Sequence, residues 1–400
     1  MSTSKLSFGR PRRASTGTGV VLLPGSQLRI SAESMAHGGR AVGHHEGQVV
    51  FLAGAYPGEV VDAKVTRVSS RHLFATAVRI LEPSPDRIAA PCPHFGPCGG
   101  CQWQTASYPA QLRWKQEIVA DQMRFVGRLP ETPVRPTIAP GQEYAYRNRM
   151  DFRLVDGRPA LHRFESHELV PISVCLLLAP PVRELFDSLE FRPGAERVTL
   201  RAGLRTGETL ILFDDERGRL HEVVAGVRFR ITSRAFFQTN TDGAESLVTL
   251  VEEVLQPSTD DVLVDGYSGG GLFSATVGGG CRKVFAVESD PAALGDLNAN
   301  ARVRVIGKRF ERSRPLLPKR WDLAVVDPPR AGLGRSGVNT LVAGRPRAIA
   351  YVSCDPATFA RDAAWIVATG YRLDWVQPVD LFPQTYHIEL VGAFRSTLGQ

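Results

Sequence analysis

The sequence predicts a multidomain chain of β and α/β parts: an OB-like β-barrel first, a central mixed α+β region next, and a doubly wound, Rossmann-like domain last. Three observations carry this. Short alternating segments punctuated by Gly and Pro recur between Gln27 and Glu82. Three cysteines fall within the ten residues Cys92 to Cys101, directly after a Glu82-Pro-Ser-Pro break. Beyond Arg230, compact apolar runs alternate with helical stretches.

A chain of 400 residues holds two or three units at ~100–200 residues each. With 43% hydrophobic and 22% charged residues, general disorder and a membrane protein are both disfavoured. The longest apolar run, Leu169 to Val182, is short and broken by prolines, unlike a spanning helix. No apolar segment of the kind a secretory signal needs follows the basic N-terminus, so the expected compartment is the cytoplasm, without a membrane partner. A formal net charge of +7 favours a polyanionic partner such as nucleic acid. Six cysteines are too sparse for a disulfide scaffold, and a cluster among them points to metal or redox chemistry.

Residues 1–22 are polar and basic, a flexible tail. Residues 23–83 contain Gln27-Leu-Arg-Ile, Gln48-Val-Val-Phe-Leu, Val60-Val-Asp-Ala-Lys-Val and Phe74-Ala-Thr-Ala-Val-Arg-Ile-Leu, which read as strands of a small antiparallel barrel. Residues 84–230 form the central, RNA-binding region; within it, 107–126 shows apolar residues at helical spacing, a helix able to dock on the C-terminal domain. Residues 231–400 supply the α/β domain. Its runs Val262-Leu-Val-Asp, Val284-Phe-Ala-Val, Leu323-Ala-Val-Val and Ala348-Ile-Ala-Tyr-Val suit a parallel sheet buried on both faces.

Cys92, Cys98 and Cys101 are spaced x5 and x2 around a Gly99-Gly100 pair that lets the backbone wrap a bound object. A cubane needs four thiolates, the last often remote; zinc usually shows two Cys-x2-Cys pairs or a Cys/His equivalent. Cys281 reads as a structural thiol and Cys354 has a use of its own, which leaves Cys175, or His94 for zinc. Spacing alone leaves iron–sulfur, zinc and structural thiols open.

Val264-Asp-Gly-Tyr-Ser-Gly-Gly-Gly-Leu-Phe puts a glycine-rich turn between strand and helix, with Glu288 at the end of the next strand to accept ribose hydroxyls of an adenosyl cofactor. The same turn satisfies G-x-S-x-G, the nucleophile elbow of α/β-hydrolases, with His387 downstream. Asp327-Pro-Pro-Arg-Ala-Gly332 and Tyr351-Val-Ser-Cys-Asp-Pro356 each follow a buried strand and should emerge at the ligand-binding edge. Asp355 is the expected N-cap of a helix with Pro356 at its first position. The helix dipole and Arg330 are expected to favour the Cys354 thiolate. Glu389, among apolar neighbours, can have a raised pKa and act as a base.

The motifs Asp327-Pro-Pro-Arg-x-Gly, Tyr351-x-Ser-Cys and Asp380-x-Phe-Pro-Gln-Thr-x-His-x-Glu389, in this order, resemble the RNA uracil-5 methyltransferases. The likeness covers most of the chain and implies a TRAM barrel over residues 23–83 and a class I methyltransferase domain over 231–400. It implies a [4Fe-4S] cluster on Cys92, Cys98, Cys101 and Cys175, and S-adenosyl-L-methionine held by Gln238, Tyr267, Glu288 and Asp327, Gln238 lying in the matching stretch Phe236-Phe-Gln-Thr-Asn240. Cys354 would add to uracil carbon 6 and Glu389 would remove the carbon 5 proton, giving 5-methyluridine in rRNA or tRNA, with the chain acting as a monomer. Two positions depart from the family pattern: Ser268 stands where Cys or Ala is common, and the short basic stretch Arg302–Trp321 puts Lys308 and Arg309 where a polar adenine contact is usual. The rival readings are a non-catalytic RNA-binding iron–sulfur protein and the hydrolase.

Overall fold

The computed structural model describes residues 22–190 and 192–397, so the predicted tail, Leu22 excepted, lies outside the described residues. The chain divides into two compact units. One takes residues up to Glu33 together with Ala41–Pro83, and the other takes Ser34–Arg40 together with Ser84–Gln400.

The first unit is the barrel. Its strands β1 (Gln27–Ser31), β3 (Ala41–His45), β4 (Gln48–Ala53), β5 (Val60–Val68) and β6 (His72–Glu82) lie in the order β1-β5-β6-β4-β3; a two-residue strand, β2 (Ser34–Met35), falls in the segment that joins the second unit. Strict alternation sends Leu28, Ile30, Val50, Leu52, Val61, Ala63, Val65, Leu73 and Ala75 inward, where all are buried. Gly43 is required because a Cβ there would lie 2.3 Å from the Ser31 carbonyl oxygen. The same alternation turns an aromatic group outward. Phe51 stacks on Phe74 at 5.3 Å between centroids, His72 meets both rings edge-on, and the Arg67 guanidinium lies 3.8 Å above Phe74.

The second unit opens with α1 (Tyr108–Phe125), started by Pro109 and burying Gln111, Trp114, Lys115, Ile118, Val119 and Met123 along one stripe. A five-stranded antiparallel sheet follows, made of β7 (Arg149–Val155), β8 (Arg158–His162), β9 (Leu169–Pro171), β10 (Arg197–Ala202) and β11 (Thr209–Phe213) in the order β11-β10-β7-β8-β9. The helix α2 (Pro180–Asp187) packs Val182 and Phe186 into its core with Met150, Phe152, Val198 and Leu200. The apolar run Leu169 to Val182 is thereby split between a strand and a helix. A hairpin, β12 (Arg219–Val224) and β13 (Val227–Thr232), leads on to α3 (Thr241–Leu255), whose N-cap Asn240 accepts the Gly243 amide at 3.1 Å.

The last sheet has seven strands: β14 (Val262–Gly266), β15 (Lys283–Glu288), β16 (Arg304–Gly307), β17 (Leu323–Val326), β18 (Ala348–Ser353), β19 (Tyr371–Val379) and β20 (Glu389–Ser396), in the order β16-β15-β14-β17-β18-β20-β19. The first five are parallel, while β20 runs antiparallel between β18 and β19. Connecting segments include α4 (Leu272–Ala275), α5 (Pro291–Asn300), α6 (Gly334–Val342) and α7 (Pro356–Val367). The four apolar runs read from the sequence are four of these strands, and β17 and β18 are buried along their whole length, as a sheet covered on both faces requires. The carboxyl ends of β14, β15, β17 and β18 therefore open on one edge, where ligands bind in such sheets.

Candidate active site

Each parallel strand delivers one functional turn to that edge. After β14 the chain passes through Tyr267 at φ 61°, then Gly269 and Gly271, also at positive φ. The predicted helix after this turn is only the four residues of α4, so its dipole is small and the backbone turn itself shapes the site. Glu288 closes the turn: one carboxylate oxygen accepts the Gly269 amide at 2.8 Å, the other the amides of Ser289 and Asp290 at 2.5 and 2.7 Å. After β17 comes Asp327 and after β18 comes Cys354, followed by the predicted N-cap: Asp355 accepts the Thr358 amide at 2.8 Å, with Pro356 in the first turn. Glu389 starts β20, opposite Val379 of β19.

These turns enclose one cavity of about 870 Å³. Gln238, Tyr267, Glu288, Asp327, Cys354 and Glu389, all singled out in the sequence, line it together. The side chains of Gln238, Asp327 and Glu389 face the cavity without a protein hydrogen-bond partner among the described residues. A buried amide and two carboxyl groups left in this way suit a polar guest. Glu311 and Arg309 line it too, and Glu311 accepts the Tyr267 hydroxyl at 2.8 Å. Glu311 was not legible in the sequence, since it sits in an irregular basic stretch between β16 and β17 with no periodic signal. Arg147 and Arg234 are also walls that no motif announced.

Electrostatics sharpen the picture. Burial and the neighbouring Asp327 push Glu389 well above the usual carboxylate range, against the pull of Arg330. Burial likewise lifts Asp327 to about 7. The Cys354 thiol is pushed up to about 11 by burial and then by the Glu389 and Asp327 carboxylates, which outweigh Arg330. This runs against the expectation that the helix end and Arg330 favour the thiolate: burial penalises the charged sulfur first, and the two carboxylates add to it. The site is an acid-rich pocket in which three groups hold their protons more tightly than usual. His387 is pulled down to about 4 by burial and by Arg330, so it is a neutral imidazole at pH 7, its Nδ1 lying 3.5 Å from an Arg330 nitrogen. His37 Nε2 is 3.3 Å from Asp355, the N-cap of α7.

The hydrolase reading fails on geometry. Ser268 Oγ is buried and donates to the Val287 carbonyl oxygen at 3.2 Å, and His387 faces Arg330 instead of the serine.

Cys98, Cys101 and Cys175 pack against one apolar cluster beside the five-stranded sheet. The thiols feel one another's charge: Cys92 raises Cys98, Cys175 raises Cys101, and Cys98 and Cys92 raise Cys175, each on top of burial, which takes Cys101 to about 12. Gly99 is obligatory, since a Cβ there would meet the backbone of His162 and Phe164 at 2.6 Å. Yet among the described residues no three His, Cys, Asp or Glu side chains are arranged to hold a metal ion. His94 is engaged elsewhere, its Nε2 accepting the Ser173 amide at 3.0 Å.

No helix among the described residues is long and apolar enough to cross a membrane. Residues 22–78 match the TRAM domain family, and residues 299–396 match the family described as tRNA (Uracil-5-)-methyltransferase. Among similar proteins are an uncharacterized RNA methyltransferase of Gloeobacter violaceus, 34% identical over 94% of this chain and 97% of its own, and another of Streptomyces coelicolor, 36% identical over 93% of each. The fold is shared with the Pyrococcus abyssi tRNA (uracil-54, C5)-methyltransferase solved with S-adenosyl-L-homocysteine, at a TM-score of 0.73 and 23% identity over 92% of this chain and 100% of that one. With its barrel, its seven-stranded sheet and these relatives, the chain belongs to the TRAM-containing, S-adenosylmethionine-dependent RNA (uracil-5-)-methyltransferases.

Proposed function

We propose that this chain methylates carbon 5 of a uridine in rRNA or tRNA, with Cys354 as nucleophile and Glu389 as base. The observation that carries the reading is the shared cavity: a thiol and a carboxyl group with raised proton affinity share one wall region with Gln238, Tyr267, Glu288 and Asp327. Gln238 and Asp327 offer unpaired polar ends, and Glu288, already fixed by three backbone amides, presents its remaining lone pairs to a ribose. These residues would hold S-adenosylmethionine, which supplies when bound a methyl group on a positively charged sulfur.

Cys354 loses its proton to solvent and adds to uracil carbon 6, and the electron pair of the 5,6 double bond moves toward oxygen 4 as an enolate. Carbon 5 would then take the methyl group and become tetrahedral, the carbonyl at carbon 4 re-forming while the methyl–sulfur bond breaks and leaves its electron pair on a neutral sulfur. The ionised Glu389 removes the remaining carbon 5 proton, the electron pair restores the double bond, and Cys354 leaves as thiolate. A resident positive charge lowers the proton affinity of Cys354, Asp327 and Glu389 together, which is what a pocket of neutral acids needs before it can act as nucleophile and base. To reach Cys354 the base must leave its stack. Phe236, exposed at the cavity, is an aromatic surface for it. The outward Phe51, His72, Phe74 and Arg67 group of the barrel suits a single-stranded stretch of the same RNA.

Labelled methyl transfer to separated rRNA and tRNA, followed by digestion to nucleosides, tests the reading: label is expected in 5-methyluridine, and label in any other nucleoside, or none, overturns it. The four thiols of Cys92, Cys98, Cys101 and Cys175 are proposed to hold a [4Fe-4S] cluster, which takes four thiolate ligands. Iron and sulfide analysis of anaerobically purified chain, with its visible absorption, decides this.

A further inference from the structure

The segment between β19 and β20, residues 380–388, ends at Glu389 and carries His387. Every carbonyl from Leu381 to Gln384 is taken by a donor outside that segment. Asn240 Nδ2 holds Leu381 at 3.1 Å, Lys115 Nζ holds Phe382 at 3.3 Å, and the Tyr146 hydroxyl holds Pro383 at 3.0 Å. The amides of Gln102 and Trp103 hold Gln384 at 3.0 and 3.1 Å. Gln384 is buried and sits at φ 69°, a conformation that costs a non-glycine residue about 1 kcal/mol or more and persists only where the surroundings impose it.

The imposing group is Gln111 of α1. Its Oε1 accepts the Gln384 amide at 3.0 Å, and its Nε2 faces Gln384 Oε1 at 3.0 Å, Trp103 O at 3.1 Å and Ala106 O at 3.0 Å. One buried amide thus pins both the strained residue of the 380–388 segment and the backbone that follows Cys101. The cysteine-bearing loop and the loop before Glu389 are joined at Gln384 by two backbone amides and one side chain.

We infer that Gln111, acting through Gln384, is a positioning residue for Glu389 and His387, and that the segment after Cys101 sets the placement of the base. This rests on the function proposed above. It assigns a role in the chemical step to a helix residue that is absent from the residues lining the cavity.

The test compares Gln111→Met with Gln116→Met in the full chain. Gln116, on the same helix, loses one bond of similar length, to Val134 O at 3.0 Å, away from the 380–388 segment. Expected for Gln111→Met is a fall in kcat of about tenfold or more, S-adenosylmethionine affinity within twofold of wild type, and faster amide hydrogen exchange at Gln384, Gln102 and Trp103 with the seven-stranded sheet still protected. Gln116→Met should keep wild-type kcat. Equal kcat in Gln111→Met and wild type overturns the inference, as does an equal loss in both variants. If the wild-type chain transfers no methyl group, the proposed function fails and the exchange measurement still decides: unchanged protection across 380–388 in Gln111→Met sinks the pin. Gln111→Asn, a shorter amide that stays polar but cannot reach the Gln384 amide, gives a second variant with the same expected split should Gln111→Met not fold.

Discussion

Lys115 Nζ lies 2.5 Å from Asp380 Oδ1, and neither side chain reaches solvent. Such a pair is costly to bury and costlier to break, because the survivor is left as an unpaired charge. Lys115→Met is expected to lower unfolding free energy by about 3–5 kcal/mol, read from the urea midpoint. Lys115→Met with Asp380→Leu should recover most of that loss, which a simple packing defect would not.

The acid-rich pocket predicts how Cys354 behaves toward alkylating agents. With its thiol pushed up to about 11, the thiolate fraction at pH 7.5 is roughly 300-fold below that of a free cysteine. Alkylation of Cys354, followed by mass spectrometry, should therefore be slow and rise with pH. A positively charged sulfonium ligand should speed it, and the neutral S-adenosylhomocysteine should not.

The same charge logic predicts proton release. Burial lifts Asp327 to about 7, so a cation bound beside it at neutral pH displaces a fraction of a proton. That fraction should shrink above pH 8, where Asp327 is already ionised. Calorimetry of S-adenosylmethionine binding in buffers of different ionisation enthalpy measures it.

Glu389→Gln keeps the shape and removes the proposed base. The methylated adduct can then no longer eliminate, so a Cys354–RNA crosslink should persist on a denaturing gel while turnover falls by about 10²–10⁴. Cys354→Ser should abolish both crosslink and turnover.

Acid stability should show a step from Asp355. Although burial opposes it, hydrogen bonds from His37 and the Thr358 amide draw this carboxyl down to about 2. A depressed folded value stabilises above the unfolded value and is lost as pH falls through roughly 4 to 2. His37→Gln should shrink that loss, seen as a flatter dependence of melting temperature on pH below 4.

Much of this molecule was legible in its sequence because the informative signals were local. Four unbroken apolar runs named four buried strands, and Asp355-Pro356 named a helix start. The six residues expected around cofactor and substrate line one cavity, four of them, Tyr267, Glu288, Asp327 and Cys354, because strand ends in a parallel sheet share an edge. What stayed hidden was set by tertiary approach. Glu311 finds Tyr267 across 44 residues of chain, and the proton affinity of Cys354 is raised by burial and by carboxylates from two other segments of the chain. The insertion of β20 between β18 and β19 also leaves no mark on periodicity.

That insertion bears on biosynthesis. Because β20 follows in sequence both of the strands it separates, the ribosome releases β18 and β19 before the residue that completes the pocket can be seated. A nascent polypeptide therefore carries the turn after β18 before the start of β20 is in place, and the wall that Cys354 and Glu389 share is complete only once translation has passed the final hairpin.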